Sequence, residues 1–491
     1  MPKIVPKKSN ANLCTAISYV HMVLGLFMMF AFGRVFPPIE PLTEVGMQVL
    51  GVFVGAVWLW CFVGFLWPSF IALVAFALTD YADFGEVAMS AFGSHVPALL
   101  LFSMILFGSP QHVGATSYIT RWFLTRKISN NRPFVFSFVF IFATYTLSVA
   151  VNVTPALILM WTVLHAVLKE LNYKPGDKYS SLMVVGTFLG AISGQASLPF
   201  TGGTLAILGV FESAAGVAMP IPQYMVLGFI FSVLVFLAYC LFMKFICKPD
   251  INNLKNLDVE IFDKNPLPPM SNLQKANFLG MLGFVLLVIL PSFLPANFIL
   301  AEMLNSLGPL GIAILTIGVM CVIKMDGQPV LDFKAVAVKN VNWEIYVMVA
   351  TALALSGALT DPATGVRDMM IAAFNPVLGG HSAMVFFIIM LLVGIILTSF
   401  AMNFIVGIVL MPVLVTFGVE AGANLPAVAA TTIFLFHYAV ILPSASAFAA
   451  MLWSNREWLT RKEVVKYGGS LVIFATVIAI LIIMPLSLVL F

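Results

Sequence analysis

The stretch Thr146-Leu-Ser-Val-Ala-Val-Asn-Val-Thr-Pro-Ala-Leu-Ile-Leu-Met160 decides how the rest of the chain is read. Its counterpart is Thr398-Ser-Phe-Ala-Met-Asn-Phe-Ile-Val-Gly-Ile-Val-Leu-Met411. In each, an Asn interrupts an apolar run and Leu-Met follows at the same distance. Asn152 and Asn403 lie 251 residues apart, as do Met160 and Met411. Backbone N–H and C=O groups released from a helix find no water in lipid, so such a break survives only inside protein or beside a watery cavity. Paired breaks at corresponding positions of two halves point to a transport site.

The composition agrees. Of 491 residues, 61% are hydrophobic and 9% charged, which excludes a soluble domain and predicts a polytopic protein of the lipid bilayer. The net charge of +3 is then no argument for nucleic acid; where the basic residues sit is what matters. The five cysteines show neither metal-ligand nor disulfide spacing. The first apolar run, 13–33, is long enough to be retained as a span rather than cleaved.

Further apolar stretches fall near 45–62, 63–79, 94–118, 179–212, 220–246, 276–294, 303–323, 342–360, 427–453 and 468–490. Segments 133–168 and 382–418, each broken at its Asn, fit re-entrant hairpins. The fold class expected is all-α, with about eleven transmembrane spans and two hairpins in an inverted repeat. With the N-terminus cytoplasmic and the C-terminus outside, 22 of the 24 Lys and Arg fall on the inner side. These are Lys3 to Lys8, Arg121 to Arg132, Lys169 to Lys178, Lys244 to Lys275, Lys324 to Lys339 and Arg456 to Lys466; Arg34 and Arg367 are the exceptions. The first hairpin is flanked by inner clusters and the second by Arg367/Asp368 and Glu420 on the outer side, hence the inversion.

All 21 acidic residues can be placed in loops or at span ends. A midplane of Asn, Ser, Thr, Gln and helix ends suits an anion, because helix N-termini offer unpaired N–H groups and a positive dipole end. Pro155 fits the first position of the second half of its hairpin, with Asn152 or Thr154 as cap. A second pair of breaks follows the hairpins: Gly190-Ala-Ile-Ser-Gly-Gln-Ala-Ser-Leu-Pro-Phe-Thr-Gly-Gly-Thr204 and Ile441-Leu-Pro-Ser-Ala-Ser-Ala-Phe448, with Ala196 and Ala445 offset by 249 residues. His437 lies in the span that carries the second of these. It is read as a core histidine, with a substrate-contacting role left open.

On these residues, together with Val57-Trp-Leu-Trp60, Ser94-His-Val-Pro97, Asn342-Trp343 and Leu442-Pro443, the chain resembles the divalent anion:sodium symporter family. The resemblance implies an elevator-like carrier of di- or tricarboxylates in the cell (inner) membrane, with a homodimeric scaffold and sodium as coupling ion. It divides the chain into scaffold spans 1–120, a transport unit 121–213, connecting spans 214–360, a second transport unit 361–453 and a C-terminal span 454–491. The family's Ser-Asn-Thr tips read Val151-Asn152-Val153 and Met402-Asn403-Phe404 here. Substrate contacts implied are Asn152, Ser197, Asn403 and Ser446. One sodium site would use Thr398, Ala401, Asn403 and Ala445. The other would use Asn152, Ala196 and Ser148, with Leu147 and Val151 where hydroxyls are expected. Sodium-independent exchange of carboxylates stays open, and an anion channel stands behind it. An enzyme is not expected, since no nucleophile-and-base or metal set is visible.

Overall fold

The computed structural model describes residues 8–116, 118, 132–200, 202–256, 268–295 and 297–491. Lys3, Lys7, Arg121, Arg126, Lys127 and Lys264 of the charge sorting, and Thr201 of the first glycine-rich break, lie outside the described residues.

Helices dominate, as an apolar chain in lipid requires, because a helix pairs its backbone within itself. In order, α1 is Lys8–Phe27, α2 Glu44–Phe62 and α3 Leu66–Ala77. A short α4, Phe84–Phe92, starts from a capping box of Asp83 and Glu86 and bends by 46° into α5, His95–His112. The first hairpin is α6, Pro133–Val151, and α7, Val153–Glu170. A broken span follows, α8 Lys178–Ser197 and α9 Gly202–Ala215, and then α10 Ile221–Leu241.

Two linking spans come next, α11 Asn272–Ile289 and α12 Ile299–Val322, the latter kinked at Gly308-Pro309. A two-stranded hairpin, β1 Lys324–Met325 and β2 Gln328–Pro329, turns at Asp326-Gly327, both at positive φ. The earlier order of elements then returns. Short α13, Phe333–Asn340, leads to α14, Trp343–Thr360. After α15, Val366–Leu378, the second hairpin is α16 Ala383–Phe400 and α17 Asn403–Glu420. A second broken span, α18 Leu425–His437 and α19 Ala447–Ser454, precedes the last span, α20 Arg461–Leu490. The place of α15 in the first half falls within 119–131, outside the described residues.

Twelve helices among the described residues are long and apolar enough to cross a membrane, and four of them are hairpin arms. The other eight, with bent α4–α5, short α3 and broken α18–α19, make up the eleven spans expected. Loop contacts also respect the sorting of charge. Tyr81 donates to Asp361 at 2.8 Å and Thr43 to Ala363 O at 3.0 Å, joining loops assigned outside. Gln274 donates to Val113 O at 3.0 Å, Tyr173 to Asp250 O at 2.8 Å, and Lys169 lies 3.8 Å from Glu457, joining loops assigned inside.

Each hairpin is held by its broken span. Gly186, Gly190 and Gly194 let α8 lie directly on α6: a Cβ at Gly190 would collide with the Ile141 carbonyl, and one at Gly194 would stand 2.6 Å from Tyr145 O. In the second half, α17 packs on α9 and α18, with Gly407 admitting Ile207.

Candidate functional site

At the first tip the chain turns on one residue. Asn152 ends α6 at φ 88° and ψ 161°, a conformation ordinarily left to glycine, so the turn at the tip is strained. Its Oδ1 accepts the Val153 N–H at 2.7 Å, so the same residue caps α7. Val153, not Pro155, is the first helical residue; Pro155 stands third, still in the turn whose N–H groups have no intrahelical partner. Val153 N–H is taken by the cap and Ala156 N–H bonds Asn152 O, which leaves Thr154 N–H as the remaining first-turn donor. Asn152 and Thr154 are exposed and line a cavity of about 580 Å³.

The second tip is built differently. Ala401 and Met402 form the turn, and Asn403 is already the first residue of α17. Its Oδ1 accepts Phe404 N–H at 2.9 Å. Asn403 is 7% exposed, whereas Ala401, Met402 and Phe404 beside it are half-buried, the Phe404 ring lying 5.5 Å from that of Phe65 and its Cβ against Gly203. The two tips therefore differ in the access of their asparagines: Asn152 is exposed on a cavity, and Asn403 is buried.

The broken spans meet in a buried polar junction. Ser197 ends α8, donating to Ser193 O at 2.9 Å and lying 3.1 Å from the Ser232 hydroxyl. Ser446 caps α19 through Ala449 N–H at 2.9 Å. Ser193 and Tyr438 share a hydrogen bond of 2.9 Å across the two breaks. His437 Nδ1 lies 2.8 Å from Ile433 O, an acceptor only, so Nδ1 carries the proton. Neutral, the ring then accepts the Thr204 hydroxyl on Nε2 at 3.0 Å. His437 thus braces one broken span against the other.

The positions expected to hold cations are also placed. Ser444 donates to Phe400 O at 2.9 Å, which fastens the second break beside the second tip and so brings Ala445 toward Ala401. Thr398, fully buried, donates to Gly394 O at 2.8 Å. In the first half, Ser148 donates to Ala191 O at 2.7 Å within the α6–α8 seam, and Tyr224 donates to Ala196 O at 2.9 Å. Leu147 and Val151 are buried.

Residues that no hairpin motif names share the cavity of Asn152. Gln111 comes from the end of α5, and Lys339, Asn340, Asn342, Trp343 and Glu344 from the junction of α13 and α14. Their sequence signals were the inner-side assignment of Lys339 and the place of Asn342-Trp343 in the family resemblance; Gln111, Asn340 and Glu344 left none.

A paired-hairpin membrane fold with a polar cavity at one tip has a match among known families: the family model described as citrate transporter, CitMHS, covers residues 53–435. The chain belongs to the CitMHS citrate transporter family. Among solved structures, it is similar to the Alcanivorax borkumensis YdaH transporter, whose crystal structure is described as revealing an unusual topology. The likeness has a TM-score of 0.54 at 13% identity and covers 95% of this chain and 97% of that one, which shows a shared fold. No curated protein matches in sequence. This CitMHS member is accordingly a multi-pass membrane protein and a secondary transporter of carboxylate anions.

Proposed function

We propose that this CitMHS protein moves a di- or tricarboxylate by an elevator-like, sodium-coupled cycle. The transport units would be 121–213 and 361–453, the first only partly within the described residues, and the kinship with divalent anion:sodium symporters is part of the proposal. The observation that carries it is the unequal access of the two tips. Asn152 is exposed on an open cavity of a size usual for small-molecule sites, whereas Asn403 is buried. A carrier that exposes its site to one side at a time has this form; a channel would need both tips on one continuous pore. The cavity lies beside Lys339, on the side assigned to the cytoplasm, so this conformation is inward-facing. In proteoliposomes, labelled citrate uptake is expected to saturate and to be accelerated by citrate preloaded inside. Flux that rises linearly with concentration and shows no counterflow would make it a channel.

The inverted orientation of the halves carries the elevator geometry and has its own test. Lys174 and Glu420, both exposed, stand just past or at the end of the first and second hairpins. In a background without the five native cysteines, Lys174→Cys is expected to react with an impermeant maleimide only from the cytoplasm and Glu420→Cys only from outside. Reaction of both from one face would sink the inversion.

A second reading, sodium-independent exchange, is favoured by one feature. Leu147 and Val151 bring no oxygen to the first cation site, and the Ala196 carbonyl there already accepts from Tyr224.

A further inference from the structure

The cavity at Asn152 has a rim that the hairpin motif does not contain. Short α13 ends on Lys339-Asn340, and α14 starts behind Asn342, whose Oδ1 accepts Ile345 N–H at 3.2 Å. The Lys339 side chain is exposed on the rim and has no carboxylate within 4.0 Å among the described residues. Asn340 is pressed against Gly108, where a Cβ would stand 2.6 Å from its own. Its Nδ2 donates to Gln111 Oε1 at 3.3 Å, but its Oδ1 is shielded from water and has no hydrogen-bond partner. Finished structural joints seldom leave a buried amide half-bonded, because such a group loses its water without replacement. The Gln111–Asn340 pair can also be turned end for end, in which case Gln111 Nε2 donates to Asn340 Oδ1 and the Asn340 NH₂ takes the unpartnered position. The rim thus holds an unpaired ammonium beside a half-buried amide pair, in the same cavity as the tip.

We propose that Lys339, on a rim braced by the Gln111–Asn340 pair, forms an anion-capture site at the cavity mouth, which holds the far carboxylate of a polycarboxylate while the near one lies at Asn152. This rests on the reading of the cavity as the substrate path and adds specificity residues to it. A single carboxylate needs only the tip, whereas a second charge gains from the rim cation. Glu344 lines the same cavity with the opposite sign and opposes the substrate. Both charges are screened by salt, so their effects fade as ionic strength rises.

The test uses the full-length protein in proteoliposomes, with citrate and succinate offered to the Lys339 face at low and high salt and acetate as competitor. Lys339→Gln is expected to raise the citrate KM about tenfold with Vmax within about twofold, the scale of one charge-assisted hydrogen bond. It should flatten the salt dependence of KM and leave competition by acetate unchanged. Lys339→Arg should restore the wild-type KM to within about twofold, and Glu344→Gln should lower it, signs that a packing role would not produce. An unchanged KM in Lys339→Gln, or a loss of Vmax alone that Arg does not rescue, overturns the capture site. Failure of the tip reading looks different: Asn152→Ala would then transport citrate normally whatever stands at 339. A wild-type protein that carries neither citrate nor succinate would remove both.

Discussion

Asn152→Ala and Asn403→Ala are each expected to lower citrate uptake by at least tenfold, with membrane insertion and thermal stability close to wild type. The amide of Asn152 is exposed in the cavity, and its one hydrogen bond within the protein caps α7. A lost bond to a charged ligand costs roughly 1.5–3 kcal/mol, on the order of tenfold to a hundredfold in affinity. The lost cap costs about 1 kcal/mol of stability, while the strain of the positive φ is already borne by Asn and is not added by Ala. Two controls separate ligand from fold. Asn152→Gly relieves the φ strain but has no amide, so it should fold and fail to transport. Asn152→Asp keeps an oxygen to cap α7 and nearly the same side-chain shape, but places a negative charge where the anion must sit. It should fold and be at least as inactive. The measurements are initial uptake rates and fluorescence-detected unfolding of the same preparations. Wild-type rates in Asn152→Gly and Asn403→Ala together would show that the tips are not the site.

How much of this could be read beforehand depended on what kind of signal each element leaves. The hairpins were legible because lipid makes a broken helix conspicuous, and the 251-residue offset made one break the witness of the other. The spans followed from length and hydropathy, and the grouping of loops onto two faces from the basic residues, a grouping that the contacts Tyr81–Asp361 and Gln274–Val113 respect. Short α4 and α13 left weaker traces. Each is too short for a hydrophobic period to establish, although both stand at equivalent places before a span. The difference between the tips was not legible at all. Asn152 and Asn403 sit in similar surroundings in the sequence, yet one is a one-residue turn and the other begins a helix. Pro155 shows how a one-letter pattern misplaces a boundary by two residues while keeping the physics, since its missing N–H falls in the unpaired first turn either way. The rim residues were out of reach for a different reason. Gln111 and Asn340 are 229 positions apart and meet only because α5 and α13 pack together.

Thr398→Val is expected to weaken the sodium dependence of uptake by an order of magnitude, while Ser148→Ala changes it by less than about threefold. Sodium is held by several oxygens at once, and an aliphatic side chain supplies none while excluding water that could substitute. In the second half, Thr398 donates its hydroxyl proton to Gly394 O, which leaves its oxygen free to face a cation. Ser444 holds the second break against Phe400, so the carbonyls of Ala401 and Ala445 come from segments fastened to each other, beside Asn403. In the first half, Leu147 and Val151 stand where hydroxyls are expected, and the Ala196 carbonyl already accepts from Tyr224. Valine matches threonine in shape, so Thr398→Val removes an oxygen without opening a cavity, although the buried site loses one helix-internal hydrogen bond. Uptake measured against sodium concentration for wild type and both variants decides the matter. A larger shift in Ser148→Ala than in Thr398→Val would move the tight site to the first half. Curves that are flat in sodium for all three would mean that neither half binds the ion, and that the protein exchanges one carboxylate for another.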